Sequence, residues 1–251
     1  MRYPFLIASP RTGSSQIYRI LLEYLRVNEG IVGLGEYFLG YHPTFDTGGG
    51  IGTLPTGPAC SLLSAAERDR IAAEKWELLQ KYPGRYFFKL SPEHVPLSIA
   101  EDLCRNYRPI FLERRNLWDQ YLSLAISFAS GIWSENQGAR SFDKLEFIDC
   151  APFLEQILLT YREIKGRVPD PEVIIYEDAA RDLDWKSLLK KLGMDQNLEG
   201  CQLVLGKKQN PDSAGKLRRF RDPDAVIRAY CNSRLNELDP CLNETGSTGR
   251  T

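Results

Sequence analysis

Seven residues near the start of the chain combine small, hydroxyl and cationic side chains. Residues 9–15, which read SPRTGSS, follow a short apolar run and precede an amphipathic stretch. When such a turn joins a strand to a helix, its backbone N–H groups point into one concavity and the helix dipole adds partial positive charge. Arg11 would add a delocalised cation, and Gly13 would let the backbone approach a ligand closely. The stretch therefore predicts an anion site to which Ser14 and Ser15 add hydroxyl donors; the alternative is an ordinary turn that caps a helix.

This stretch departs from the loop that holds nucleoside triphosphates. That loop reads GxxxxGK[ST], and its lysine reaches the phosphates. Here Ser14 stands at the lysine position and Ala8 at the first glycine position. We also find no apolar strand that ends in an aspartate able to hold Mg²⁺. Both departures count against an ATP-dependent small-molecule kinase, which stays an alternative interpretation of the loop.

A second cationic stretch lies about a hundred residues later. Residues 109–123 read PIFLERRNLWDQYLS, so an apolar run ends in Arg114 and Arg115 and a helical pattern follows. Ser123 lies eight residues after Arg115, about two turns into that helix. An arginine and a serine together can bind a phosphate monoester. The alternative is a solvent-facing arginine pair and an incidental serine.

Basic residues are also concentrated towards the C-terminus, in residues 205–222. This stretch, LGKKQNPDSAGKLRRFRD, includes Lys208 and Lys216. A run of charge is usually a solvated face. The alternative is a segment that folds over a bound anion.

The pattern of elements predicts how these residues are positioned. Continuous apolar runs, typical of strands buried on both faces, occur at 3–8, 31–34, 86–90, 109–112 and 173–176. After the helix that follows residue 13, helical patterns run over 64–81, 93–106, 117–130, 151–165, 185–192 and 223–235. Strands that alternate with helices predict an α/β protein with three layers, in which helices cover both faces of a mostly parallel central sheet.

Two insertions interrupt this alternation, at 37–60 and 134–147. The first is rich in glycine and proline and contains His42, and it is too long for an ordinary connection. We expect a single domain over residues 1–235 that includes both loops, with a flexible tail at 236–251. Aromatic residues in or next to these loops could stack on a ligand or pack within the loops; they are Tyr37, Phe38, Tyr41, Phe45 and Trp133.

The composition narrows the class of protein. A formal net charge of −1 gives no overall basic field for nucleic acid or a membrane surface. The six cysteines form no CxxC pair and there are only two histidines, so we expect no metal site. No apolar run reaches the length of about 18 residues that a membrane span needs. With no leader before the first strand, we expect a cytoplasmic protein; an oxidising compartment stays open if the N-terminus was trimmed.

The two cationic stretches and a third segment resemble sulfotransferases that use 3′-phosphoadenosine-5′-phosphosulfate (PAPS). The 5′-phosphosulfate loop of that family reads P-[KR]-[ST]-G-[ST]-[ST], which residues 10–15 match, with Thr12 at its third position. The 3′-phosphate motif has an arginine and a serine eight residues apart with a central aspartate, matched by Arg115, Asp119 and Ser123. Residues 173–194 are similar to the strand–YED–helix segment of the family. The resemblance implies a P-loop-like sulfotransferase fold and places Tyr176 near the adenine.

Two short stretches look most like the bacterial carbohydrate branch of the family, such as trehalose sulfotransferase. They are GLGEYF at 33–38 and SFASGIWS at 127–134. The chain differs from the cytosolic phenol and steroid enzymes at two places. Gln16 stands where those enzymes have a tryptophan that stacks on adenine, and Lys89-Leu90-Ser91 stands where they have a Lys-x-His pair.

The resemblance implies sulfuryl transfer from PAPS to a hydroxyl of a carbohydrate or small metabolite, with adenosine 3′,5′-bisphosphate as product. Arg11 and Lys89 would stabilise the transferring group. Glu36, in its Gly-Glu context, is the first choice of general base, and His94 is the second because histidine titrates near neutral pH. Lys208 or Lys216 would close the donor site, and the insertions at 37–60 and 134–147 would line the acceptor side. The other alternative is a non-catalytic nucleotide-binding relative, and the oligomeric state stays open.

Overall fold

The structure, a computed structural model, describes residues 2–38, 44–45, 51–52, 64–82, 84–132, 144–181, 185–194, 198, 201 and 213–238. Of residues 44–45, 51–52 and 180–181 only the backbone is described. Lys208, His42, Tyr41 and Trp133 lie outside the described residues, as does most of the two insertions and of the tail.

Five parallel strands form the central sheet. They are β1 (Pro4–Ala8), β2 (Val32–Gly35), β5 (Tyr86–Leu90), β6 (Arg108–Glu113) and β7 (Glu172–Ile175), in the order β2-β5-β1-β6-β7. A separate antiparallel pair joins β3 (Thr44–Phe45) to β4 (Ile51–Gly52). The predicted strands are therefore confirmed to within one residue at each end, and the central sheet is parallel throughout.

Helices connect these strands. They are α1 (Ser14–Glu29), α2 (Ala65–Lys81), α3 (Leu97–Asn106), α4 (Leu117–Ser130), α5 (Ala151–Gly166), α6 (Tyr176–Arg181), α7 (Trp185–Lys191), α8 (Ser213–Leu217), α9 (Pro223–Asn232) and α10 (Leu235–Leu238). In the described part of the chain, no helix is both long and apolar enough to cross a membrane.

The sheet is buried on both faces, as its continuous apolar strands require. In β1, Phe5 and Ile7 pack into a core cluster with α2, α3 and α5. Leu6 and Ala8 point the other way and pack with α1 and α7. Alternate residues of one strand thus belong to two different cores. This confirms the α/β class with helices on both faces of the sheet.

Two helices predicted as continuous are broken, each for a local reason. The predicted helix 93–106 is a short 3₁₀ turn (Pro92–His94) followed by α3, because Pro96 holds Val95 in an extended conformation with φ −142° and ψ 152°. The predicted helix 223–235 ends before Ser233. The hydroxyl of Ser233 donates to the Tyr230 carbonyl (2.7 Å) and accepts from the Leu235 N–H (3.3 Å), so it ends α9 and starts α10.

The topology gathers the loops that follow the strands. The chain runs from β1 to the edge strand β2, returns to β5 beside β1, and continues to β6 on the other side of β1. Parallel α/β sheets bind ligands beyond the carboxyl ends of the strands where the strand order reverses in this way. The turns after all five strands therefore share one edge of the sheet, with the turn after β1 at its centre.

Candidate anion-binding and catalytic site

The turn between β1 and α1 has the conformation of an anion-binding loop. Arg11 and Gly13 both have positive φ, 63° and 83°. The Thr12 hydroxyl donates to the Ser9 carbonyl (2.9 Å), and the Gly13 carbonyl accepts the N–H of Gln16 (3.0 Å) as α1 begins. The first amides of a helix, here those of Ser14 and Ser15, precede its first i−4 hydrogen bond, so they and the positive end of the helix dipole face the same side.

Gly13 is required here for its lack of a side chain as well as for its backbone. A Cβ at this position would lie only 2.0 Å from the ring of Tyr176. Tyr176, the first residue of α6, therefore packs directly over the loop, and the Arg114 guanidinium lies 5.2 Å from the centre of its ring. The sequence pattern predicted Tyr176 as the last residue of a strand; it begins a helix instead. Its predicted contact with adenine stays a prediction.

Two side chains from the β6–α4 region hold the loop backbone. The Gln120 amide donates to the Ser9 hydroxyl (2.8 Å) and to the Pro10 carbonyl (2.7 Å), and Gln120 is fully buried. Arg114 donates to the Arg11 carbonyl (2.8 Å). Three acceptors of the loop are thus engaged by side chains from outside it, which fixes the conformation of the turn.

Lys89 joins the loop to a carboxylate. It lies near the end of β5, and its ammonium is 3.3 Å from the hydroxyls of both Ser14 and Ser15. The same nitrogen is 2.6 Å from a carboxylate oxygen of Glu36. The side chain of Lys89 is 10% exposed and that of Glu36 is 39% exposed. A shielded cation thus stands between two hydroxyl donors and a solvent-accessible carboxylate.

Glu36 is placed by a turn at the end of β2. Gly35 has a φ of 63°, and its N–H donates to the hydroxyl of Tyr18 on α1 (2.8 Å). That hydroxyl donates to the Phe87 carbonyl (3.2 Å) and the Tyr18 ring stacks on Phe87. Burial raises the pKa of Tyr18, which therefore stays a neutral donor.

His94, the second predicted base, is buried near the ion pair of Lys89 and Glu36. Its side chain is 6% exposed. Its Nδ1 accepts the N–H of Ser91 (3.4 Å), and its Nε2 lies 3.8 Å from a carboxylate oxygen of Glu93. Burial lowers the pKa of His94, against opposing effects of Glu93 and Glu36. The neutral imidazole has little access to a substrate hydroxyl.

Asp119, in the first turn of α4, is the centre of a charge network beside the loop. It accepts from Arg114, from the ammonium of Lys216 (2.6 Å) and from the hydroxyl of Ser213 (3.0 Å). Lys216 is buried, and burial lowers its pKa; the bond to Asp119 opposes this and the charges of Arg114 and Arg11 add to it. The described part of the basic C-terminal stretch is therefore docked against α4 beside the loop.

Arg115 is paired within the protein. Its guanidinium makes a bidentate contact with Asp178 (2.7 and 3.0 Å). The adjacent Glu177 accepts the backbone N–H of Arg115 (2.9 Å) and of Asn116 (3.2 Å). Ser123 is half-buried on α4 one turn beyond Asp119. A phosphate at Arg115 would compete with Asp178, a partner that only the fold reveals.

The sequence pattern assigned no role to four residues that bind the predicted site residues or their neighbours: Lys75, Arg114, Gln120 and Asp178. Lys75 and Gln120 do leave a signal, since each is a polar residue at an apolar position of a helix. Tyr37 and Phe38, considered as ligand-stacking residues, are buried in the core. Within the described residues, no group of three or more His, Cys, Asp or Glu could hold a metal ion.

Comparisons with known proteins give a likeness among solved structures. No protein family model matches the chain, and no curated protein matches it. Among solved structures it is similar to the sulfotransferase domain from the Synechococcus PCC 7002 olefin synthase. The two share 16% identity at a TM-score of 0.45, over 99% of this chain and 95% of that one. A likeness at this level assigns neither a fold family nor an activity, which therefore rest on the residues and contacts above.

Proposed function

We propose that this chain is a PAPS-dependent sulfotransferase that transfers a sulfuryl group to a hydroxyl of a carbohydrate or small metabolite. The observation that carries the proposal is the position of Lys89. Its ammonium contacts both hydroxyls of the anion loop and the carboxylate of Glu36. An anion held by the loop would therefore lie next to a cation, and an acceptor hydroxyl near Glu36 would lie next to that anion.

The loop fits the phosphosulfate end of the donor. The first-turn amides, the hydroxyls of Ser14 and Ser15 and the ammonium of Lys89 are all donors, which suits a group with only acceptor oxygens. Arg11 adds a delocalised charge from within the loop. Donors fixed before the reaction stabilise developing charge without reorganisation. These groups would stabilise the bridging oxygen as its bond to sulfur breaks and the phosphate leaves.

Glu36 is the proposed general base. Its carboxylate is the more exposed member of the ion pair with Lys89, so an acceptor can reach it. It would take the hydroxyl proton while the acceptor oxygen forms its bond to sulfur. The products are a sulfate ester, a protonated Glu36 and adenosine 3′,5′-bisphosphate. His94 is the weaker candidate because its imidazole is buried and occupied.

The rest of the donor would be held on the β6–α4 side of the loop. We propose that Arg115 and Ser123 bind the 3′-phosphate, that Tyr176 lies near the adenine, and that Lys216 and Lys208 close the site. The ion pair between Lys216 and Asp119 supports the proposed role of Lys216, because it brings the ammonium to the edge of the loop. The carbohydrate acceptor and the relation to trehalose-type enzymes rest on the stretches 33–38 and 127–134.

A ligand-dependent thermal shift tests this proposal against an ATP-dependent kinase. We expect adenosine 3′,5′-bisphosphate to raise the Tm, since a ligand at a hundred times its Kd adds about 2.7 kcal/mol to the free energy of unfolding. Adenosine 5′-phosphate, which lacks the 3′-phosphate, should raise it less. ATP with Mg²⁺ should have little effect. Stabilisation by ATP–Mg²⁺ alone would instead support the kinase.

A further inference from the structure

A lysine lies on the apolar face of α2. Lys75 shares that face with Ile71, Ala72, Trp76 and Leu79, and it is only 4% exposed. Lysine is almost never fully buried without a partner, because its ammonium loses hydration there. A cation at this position therefore needs a binding partner, and the partner is Tyr37.

Lys75 and Tyr37 bind each other in both directions. The Lys75 ammonium donates to the Tyr37 carbonyl (2.5 Å) and lies 5.2 Å from the centre of the Tyr37 ring. The Tyr37 hydroxyl donates to the Lys75 carbonyl (3.3 Å). The Tyr37 ring is fully buried and packs edge-on against Phe38. The contact combines two hydrogen bonds with a desolvated cation–π interaction.

This contact fixes the chain one residue after Glu36. The chain is fixed one residue before it by the Gly35 N–H, which donates to the Tyr18 hydroxyl (2.8 Å). Glu36 is thus the middle residue of a three-residue stretch whose first N–H, that of Gly35, is bound to α1 and whose last carbonyl, that of Tyr37, is bound to α2. Anchors on both sides limit the directions in which its side chain can point.

The same contact joins the two ends of the first insertion. The chain leaves the sheet after Gly35, at the end of β2, and Ser64 caps α2 on the other side of the insertion. Lys75 lies three turns into α2 and reaches back to the residue before Phe38. The start and the return of this segment are therefore tied together next to Glu36.

We infer that Lys75 is a positioning residue for Glu36, which it holds towards the Lys89 ammonium by binding the carbonyl of the following residue, Tyr37. The inference rests on the proposed role of Glu36 as the general base. Catalytic groups must be held close to their productive geometry, and a small misplacement costs a large part of the rate. Lys75 itself touches neither substrate in this account.

Replacing the ammonium while keeping its size tests the inference. Lys75→Met should lower kcat for sulfuryl transfer by about tenfold or more and leave the Kd for adenosine 3′,5′-bisphosphate within about twofold of wild type. Lys81→Met is the matched control, since Lys81 is an exposed lysine on the same helix, and it should keep wild-type kcat. Lys75→Arg, which keeps a cationic donor, should recover most of the lost rate.

Amide hydrogen exchange gives a readout that does not need activity. Peptides that cover residues 33–38 should exchange faster in Lys75→Met than in wild type or Lys81→Met, while those that cover β1 stay protected.

Wild-type kcat or unchanged exchange in Lys75→Met would overturn the inference. So would equal loss of rate in folded Met and Arg variants, since packing alone would then be responsible. If wild type transfers no sulfuryl group, the proposed function fails, while the exchange still decides whether Lys75 holds this turn.

Discussion

At the scale of single residues, His94 illustrates how burial separates a candidate base from a structural group. Its imidazole accepts the Ser91 N–H and lies beside Glu93, whose carboxylate also accepts the Ser91 hydroxyl. Burial lowers the pKa of His94, so the folded protein favours the neutral ring. Glu36, more exposed and paired with Lys89, has the access that a base needs.

The buried His94 predicts a pH dependence of stability. Its ordinary pKa is 6.5, and the pKa in the folded protein is lower. Between these two values the unfolded chain binds the proton more strongly, so protonation favours unfolding. We expect the stability that the neutral ring contributes to be present above pH 6.5 and to be lost as the pH falls towards the lower, folded-state value.

Thermal unfolding as a function of pH measures this effect. The fall in Tm on acidification from pH 6.5 should be smaller in His94→Asn than in wild type, because asparagine does not titrate. Carboxylates that titrate at lower pH contribute to both proteins, so the difference between the two curves isolates His94. Parallel curves would mean that His94 has no lowered pKa in the folded protein.

At the scale of elements, the short helix α8 is connected to the anion loop through α4. Lys216 on α8 and Arg114 after β6 bind the same carboxylate, that of Asp119. Arg114 also donates to the Arg11 carbonyl in the loop. The position of α8 and the conformation of the loop are thus coupled through one ion network, which is largely shielded from water.

Removing the cation of α8 should weaken donor binding. In Lys216→Met, Asp119 keeps Arg114 and Ser213, but the site loses one buried charge. Since a hydrogen bond to a charged group contributes about 1.5–3 kcal/mol, we expect the Kd for adenosine 3′,5′-bisphosphate to rise at least about tenfold in titration calorimetry. Lys144→Met removes the same charge from an exposed lysine that binds the Arg218 carbonyl, and it should leave the Kd unchanged. Equal affinities in all three proteins would exclude Lys216 from the donor site.

The spacing of apolar residues predicted the strands and helices well where a single pattern runs through the whole element. The strands of the central sheet were predictable because they lie in continuous apolar runs, as in β1, whose alternate residues pack into two cores. The breaks at Pro96 and Ser233 were missed, since each depends on one residue that redirects the backbone within an otherwise helical pattern. The helix at Tyr176 was missed because that residue continues an apolar run, and its packing on Gly13 is a tertiary contact.

At the scale of the whole molecule, the parallel sheet brings distant residues to one edge. Lys89 in β5 meets Ser14 and Ser15, which follow β1, and Glu36, which follows β2. These residues were predictable as neighbours once the sheet was predicted. The internal partners were not predictable in the same way. Asp178 and Lys75 meet their partners 63 and 38 positions away in the chain, and no spacing rule marks such pairs.

The measurement that tests the central claim most directly is transfer of radiolabelled sulfur from PAPS to a panel of hydroxyl acceptors, with wild type and Glu36→Gln compared at equal donor saturation. We expect wild type to form a labelled sulfate ester. In Glu36→Gln turnover should be slower by about 10²–10⁴-fold, the usual contribution of a general base, at nearly unchanged donor affinity. Phosphoryl transfer from ATP to the same acceptors without any sulfur label, or wild-type turnover in Glu36→Gln, would contradict the account.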